Sequence, residues 1–410
     1  MRDVATPASP ERAGQAQARV LARVNVAAIE RNCARLRTEL TDEAALCAVV
    51  KADGYGHGAV QSARAALAGG ASWLAVVSAA ELRELREAGL QDVPVLVMGT
   101  LTPNELAAVL AAGGDVVVWS EQYLRAVEAA GGGRVHVKLD SGMGRLGTRD
   151  PEQAAHVADA AAASDGVELV GVMTHFATAD ELSDDGFFAS QLATFTRWAE
   201  RVRGRHPEIL VHAANSAAVL RDASSQFDMV RCGIAIYGMD PFGQDPAQRA
   251  LEPALELSSY VADVKLFAAG ESAGYGRRFV AEHDTWIAVL PVGYGDGWRR
   301  GLSNNADVLI AGERHQLVGT ISMDSVTVEL GPENGAEAPH GGPGGPDGWR
   351  GEPQRLRGER AILIGLQGSN RITAEEVARR LDTINYEITC GLTPRVPRSY
   401  HRDGEAQSSA

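Results

Sequence analysis

Lys51 ends the apolar run Ala48-Val49-Val50 and opens the glycine-rich stretch Ala52-Asp53-Gly54-Tyr55-Gly56-His57-Gly58. A lysine half-withdrawn from water at a strand end loses solvation of its ammonium form, so its pKa falls and a neutral amine becomes available to attack an aldehyde. The glycines beside it leave room for a bound group. On these residues alone a solvated surface lysine is the commoner outcome, so the rest of the chain must decide.

The elements that would position such a lysine are written along the first 240 residues, where short valine-rich runs alternate with longer amphipathic stretches. Candidate strands fall at 44–50, 73–77, 94–98, 115–119, 134–139, 167–173, 209–213 and 227–231. Helical patterns between them, such as 79–89 and 103–113, end on glycine. Eight parallel strands with intervening helices predict an α/β fold, a (β/α)8 TIM-like barrel, rather than an open sheet. In such a barrel functional polar residues follow the C-terminal ends of the strands. Lys51 follows the first strand, Asp140 and Arg145 the fifth, and His175 the sixth; Asn215 and Ser216 follow the seventh, and Arg231 to Ile234 the eighth. Ser216 and the Gly233-Ile234 amides are phosphate-cradle candidates, because the turns after strands seven and eight commonly bind an anion.

Beyond about residue 250 the pattern changes to period-two or fully apolar runs, near 286–291, 307–310, 316–321 and 361–364, which predict a mostly β second domain. The expected organisation is an arm at 1–18, a barrel at 19–250, a β domain at 251–402 and a tail at 403–410. Residues 331–357 are rich in glycine and proline and are read as a mobile insertion without a chemical role.

The 410 residues are 45% hydrophobic and 22% charged, and their net charge of -14 argues against a nucleic-acid or anionic-membrane partner. Small molecules are the better expectation. No segment has the apolar run of a secretory signal or a membrane span, and Cys33, Cys47, Cys232 and Cys390 are scattered as structural thiols would be in a reducing compartment. A cytoplasmic protein without a metal site is expected.

The stretch 48–58 resembles the cofactor-lysine signature of the alanine racemase family. The resemblance continues through 138–147, Thr174 to Asp180, His212 to Ser216, Arg231 to Ile234, Gly293 to Gly297, Ser322-Met323-Asp324 and Thr383 to Glu387, in the family's order. It covers nearly all of residues 22 to 400.

This resemblance implies a pyridoxal 5'-phosphate enzyme that interconverts L- and D-alanine as a homodimer and supplies D-alanine for peptidoglycan. Racemisation removes the α-proton from one face of a planar adduct and returns one to the other, so two bases are needed. By similarity these are Lys51, which also holds the cofactor, and Tyr275 from the partner subunit. A phenol with an ordinary pKa near ~10 needs nearby charge to act as a base. The resemblance supplies His175, Arg231 and His212 for this. It also implies Tyr55, Ser216 and the Gly233-Ile234 backbone as phosphate ligands and Asn215 as a further cofactor contact. Arg145, Met323 and Tyr294 would meet the substrate, with His212, Asp324 and Lys138 in support.

Arg231 is the most discriminating of these. Family members place the guanidinium at the pyridine nitrogen, where other pyridoxal phosphate enzymes often carry a carboxylate, so the ring nitrogen stays unprotonated. Lys138 resembles a lysine that is carbamylated in some members, and an unmodified lysine is the open alternative. Two departures stand out: Ala273-Gly274 replaces a frequent Val-Ser before Tyr275, and Pro394 replaces a tyrosine that binds phosphate in some members. An amino-acid decarboxylase of the same barrel class, a non-catalytic cofactor carrier and a racemase for serine are the competing readings. Arg231 with Tyr275 weighs against the first, and the long β segment against the second.

Overall fold

A computed structural model describes residues 18–41, 44–332 and 353–406. The expected arm, up to residue 17, and the greater part of the expected insertion, 333–352, lie outside the described residues, as do 407–410.

Eight strands close a parallel barrel: β1 (Ala45–Val49), β2 (Trp73–Val76), β3 (Val95–Val97), β4 (Asp115–Val118), β5 (Gly133–Lys138), β6 (Val167–Met173), β7 (Leu210–Asn215) and β8 (Met229–Cys232). Closure is made by β1 against β8, with Cys47 opposite Arg231. The strands are mostly apolar because both faces are covered, one by the barrel interior and one by helices. Each buried valine or leucine contributes about 1.5–3 kcal/mol relative to exposure.

The helices start where the sequence provides acceptors for their free N–H groups. Ser78 caps Ala79–Glu87, Thr102 and Glu105 form a reciprocal capping box at Pro103–Ala111, and Asp150 with Pro151 opens Pro151–Ala163. The two helices expected to run to Gly89 and Gly113 stop two residues earlier, at Glu87 and Ala111. Their glycines follow in the left-handed conformation that lets the chain leave the helix.

A second unit, described by itself, is an antiparallel sheet. Its strands are β9 (Leu255–Tyr260), β10 (Asp263–Phe267), β11 (Thr285–Leu290), β12 (Asp307–Ile310), β13 (Glu313–Val318), β14 (Val326–Pro332) and β15 (Arg360–Gln367). Their order is β10-β11-β14-β13-β12-β15-β9. The run expected at 316–321 ends at Val318, since Gly319 has φ 78° and turns the chain out of the sheet. Residues 331 and 332 close β14, and Pro353–Leu356 form a 3-10 turn.

The units are not consecutive halves of the chain. Leu257–Arg371 and Thr393–Pro397 belong to the sheet unit, whereas Ile372–Leu392 and the segment from Arg398 group with the barrel. All four cysteines are free thiols, with Cys33, Cys47 and Cys232 buried and Cys390, the last residue of the short helix Asn385–Cys390, exposed. Among the described residues, no helix is long and apolar enough to cross a membrane.

Candidate functional site

Directly after β1 the chain makes one left-handed turn. Ala52, Asp53, Gly54 and Tyr55 have φ of 53°, 52°, 58° and 52°. Left-handed backbone costs a non-glycine residue roughly 1–2 kcal/mol, so the surroundings must hold it. Glu81 does so with both oxygens, accepting from the Ala52 amide (2.8 Å) and the Val77 amide (2.8 Å). Asp53 accepts from the Ala59 amide at 3.1 Å. His57 is fully buried, and burial pushes its pKa down to about 4. It is therefore neutral, and its Nδ1–H is shared by the carbonyls of Gly54 (3.1 Å) and Tyr55 (3.0 Å) while its ring stacks on Tyr237 at 4.5 Å.

This turn aims Lys51 from the C-terminal mouth of the barrel. Burial, followed by the positive field of Arg145, lowers its pKa from the ordinary lysine value. Lys138, the last residue of β5, is buried, and its pKa falls to about 8 through burial and then the fields of Arg231 and Arg145. Arg145 is exposed, carried on a loop that Asp140 ties down by accepting from the amides of Gly142 (3.2 Å) and Gly144 (3.0 Å).

Arg231 is buried in β8. One guanidinium nitrogen donates to His212 Nδ1 at 2.8 Å; the other donates to the carbonyls of Thr174 (2.7 Å) and Ala213 (3.0 Å) and faces His175 Nδ1 at 3.4 Å. Burial lowers its pKa to about 10, so it remains a cation at neutral pH. His175 and His212 are held well below the usual imidazole range by burial and then by Arg231, so both rings are neutral.

The turns after β7 and β8, read above as an anion cradle, are hydrogen-bonded to each other. Ser216 Oγ accepts from the amides of Gly233 (3.0 Å) and Ala235 (3.3 Å), beside a 3-10 turn that begins at Ile234. A Cβ at Gly233 would collide with the Tyr55 hydroxyl, so the absence of a side chain there lets Tyr55 and the cradle meet. Asn215 stands at the same mouth, but its side-chain oxygen accepts from the Ala218 amide at 3.0 Å and caps the helix Ser216–Arg221. A cofactor contact by that oxygen would compete with the cap.

The remaining expected site residues belong to the sheet unit. Tyr275 sits in a 3-10 turn within the small hairpin Ser272–Ala273 and Phe279–Val280, its side chain 72% exposed and its carbonyl accepting from Thr320 Oγ1 at 2.7 Å. Tyr294 and Met323 are brought together because the Tyr294 amide donates to the Ser322 carbonyl (3.1 Å) and the Gly295 amide to the Met323 carbonyl (2.9 Å). Both side chains are exposed. Asp324 pairs with Arg395.

Arg145 depresses both Lys51 and Lys138 at the barrel mouth and Arg231 and Lys51 add to the effect on Lys138, while Glu81 acts on Lys51 and Asp140 on Lys138 in the opposite sense. With the Ser216–Gly233 cradle, that donor set fits a phosphorylated cofactor and a carboxylate-bearing substrate.

Residues 24–241 match the family model described as alanine racemase, N-terminal domain, and residues 254–400 the alanine racemase, C-terminal domain. The chain belongs to the alanine racemase family. The alanine racemase of Halalkalibacterium halodurans is 40% identical over 93% of this chain and 95% of that protein, and alanine racemase 1 of Bacillus subtilis is 38% identical over 93% of each. Among solved structures, the alanine racemase from E. faecalis superposes with a TM-score of 0.82 at 34% identity, covering 94% of this chain and 98% of that one. That from the D-cycloserine producing Streptomyces lavendulae gives 0.81 at 34% identity, over 94% and 98%. The barrel followed by a mostly β domain is the family's fold, and membership places the chain among the isomerases.

Sequence reasoning left three contributors unnamed. Glu81 clamps the left-handed turn, and Asp115 and His136 continue the hydrogen bonds beyond His212. Asp115 had a signal, a carboxylate opening an otherwise apolar strand; His136 had one too, lying two residues before Lys138 and so on the same strand face.

Proposed function

We propose that this protein is a pyridoxal phosphate-dependent racemase that interconverts L- and D-alanine, working in the cytoplasm as a homodimer whose two sites each draw residues from both subunits. The observation that carries this reading is the Lys51 amine, its pKa lowered by burial and by Arg145, at the mouth of a barrel that also holds the Ser216–Gly233 cradle and the buried Arg231. Pyridoxal phosphate, when bound, supplies the conjugated ring that spreads the charge left at the α-carbon by proton removal.

Everything else falls to the chain. Lys51 holds the cofactor through its Nζ and, when released, exchanges the α-proton on the D-alanine side. Tyr275 of the partner subunit exchanges it on the opposite face. Tyr55, Ser216 and the Gly233-Ile234 backbone bind the phosphate. Burial raises the pKa of the Tyr55 phenol, so it stays protonated and is available as a donor. Arg145 and Met323 of the partner subunit orient the substrate carboxylate, and Tyr294 narrows the entrance. Exposure of Tyr275, Tyr294 and Met323 supports a second subunit over that face, since large apolar side chains left in water mark contact surfaces. D-alanine made in this way would feed peptidoglycan synthesis.

The direct test follows each enantiomer of alanine and serine with the wild-type protein by chiral chromatography, with evolved carbon dioxide measured alongside. Conversion of both alanine enantiomers toward an equal mixture is expected. Carbon dioxide release without inversion would replace the racemase reading by a decarboxylase, and faster inversion of serine would move the substrate.

Lys138 completes the charge pattern as a carbamate. With its pKa at about 8, a useful fraction of the amine is neutral near physiological pH; that fraction forms a bond to carbon dioxide, loses a proton to solvent and becomes an anion facing Arg145 and Arg231. Raising pH through about 8 increases the reactive form. With carbon-13 bicarbonate, wild type is expected to give a carbamate resonance that Lys138→Ala lacks; its absence from wild type would leave Lys138 a plain lysine.

A further inference from the structure

A chain of hydrogen bonds crosses the barrel interior beyond Arg231. Arg231 Nη1 meets His212 Nδ1 at 2.8 Å, His212 Nε2 meets His136 Nδ1 at 2.9 Å, and His136 Nε2 meets Asp115 Oδ2 at 3.2 Å. Both imidazoles are fully buried and Asp115 is 1% exposed, so no bulk water competes for these groups. The other Asp115 oxygen accepts from Arg134 Nε at 2.9 Å.

Donor and acceptor counting fixes the direction of every bond. A guanidinium only donates, so His212 Nδ1 must offer a lone pair. A neutral His212 then carries its proton on Nε2 and donates it to His136, whose Nδ1 must likewise be bare. His136 therefore carries its proton on Nε2 and gives it to the Asp115 carboxylate, which only accepts. All three bonds point one way, from the buried cation to the buried anion, through two rings in the same tautomer. The contact of the two rings depends on the strand between them. Gly171 of β6 lies opposite His136, and a Cβ there would stand 2.9 Å from His136 Nδ1. The rings meet nearly at right angles, with centroids 4.9 Å apart.

We propose that Asp115 and His136 are positioning residues for Arg231: the carboxylate fixes the tautomer of both imidazoles, so that His212 presents a lone pair to the guanidinium instead of an N–H. Without the carboxylate only Arg231 opposes a reversal of the chain. With its oxygen held by the Arg134 donor, an asparagine at 115 would turn its amide N–H toward His136 Nε2, His136 would then donate through Nδ1 to His212 Nε2, and His212 would carry its proton on Nδ1. Two donors would face each other at Arg231, and the guanidinium would be pushed from its place. The catalytic consequence rests on the racemase reading above and on the place at the pyridine nitrogen that the family resemblance implies for Arg231; the tautomer assignment does not.

The test is Asp115→Asn in the full chain purified with pyridoxal phosphate, with nitrogen-15 labelled histidine rings read by NMR and racemisation measured in parallel. Wild type is expected to show His136 and His212 protonated on Nε2 alone. The variant is expected to show Nδ1 protonation at His212 and a fall in kcat of roughly tenfold to a hundredfold, the loss that goes with a charge-assisted hydrogen bond, while KM for alanine changes far less. If this variant does not fold, His136→Phe keeps ring bulk and cuts His212 off from Asp115; His212, whose Nδ1 Arg231 still requires bare, is expected to stay protonated on Nε2 with a shifted Nε2–H signal, and kcat to fall with KM little changed. Nδ1 protonation in wild type, an unchanged His212 in folded Asp115→Asn, or kcat within about twofold of wild type in whichever variant folds would each overturn the proposal. A wild type that fails to racemise alanine would sink the functional reading instead, and the ring signals would still decide the wiring.

Discussion

Lys51→Ala is expected to lower racemisation by more than about a thousandfold, because in the role proposed for it Lys51 is both the amine that holds the cofactor and a positioned acid-base group. The loss should be uneven. If Lys51 serves the D-alanine face, the variant loses α-deuterium exchange from D-alanine in deuterated water more completely than exchange from L-alanine. Tyr275→Phe should show the reverse preference, with an overall loss of about 10²–10⁴, since it deletes the hydroxyl alone and leaves the exposed turn and its Thr320 contact intact. Equal losses in both directions from both variants would refute the assignment of faces. Borohydride reduction gives a check independent of turnover: it should link pyridoxal phosphate to wild type and not to Lys51→Ala.

The second large effect is on what the enzyme makes. Arg231 stays charged with a pKa of about 10 and donates to His212 and to the Thr174 and Ala213 carbonyls, so it cannot accept a proton from a ring nitrogen or pass one to it at working pH. Arg231→Glu would let that nitrogen be protonated, making the ring a stronger electron sink and favouring return of the proton to the cofactor carbon. Racemisation should fall, and pyruvate formed per inversion should rise, read by a coupled lactate dehydrogenase assay. Glutamate also leaves two buried carbonyls without their donor, at about 1–3 kcal/mol each, so the variant should melt earlier. Arg231→Lys keeps the charge and should slow the reaction without raising pyruvate. A folded Arg231→Glu whose pyruvate ratio matches wild type would remove this account of selectivity.

The barrel was legible because its strands are short, mostly apolar runs bounded by turn residues, as parallel strands covered on both faces tend to be, with polar residues such as Asp115, His136, His212 and Arg231 set singly among them. Only the ends shifted: the seventh strand extends past 213 to Asn215, because the polar side chains at its mouth are still paired in the ladder, Asn215 against Arg231. In the second unit Glu313 and Arg314 were missed as the start of β13, since charged residues in a hairpin beside Ala311-Gly312 look like the turn itself. The site was legible where one motif carries several groups, as at Lys51 to Gly58. It was not legible where a group's meaning depends on a partner far along the chain. Asp115 and His136 are 21 residues apart and His212 another 76 beyond, and nothing local to any of them announces the other two.

The reversed turn after β1 has a mechanical corollary. Glu81, Asp53 and His57 pin the peptide groups that follow Lys51, so the main chain there has no slack to lend. Whatever distance the amine travels between holding a coenzyme and ferrying hydrogen must come from swivelling its own four methylenes. Such torsional hops are generally quicker than the rearrangement of a loop, so in the proposed cycle this step would not wait on one.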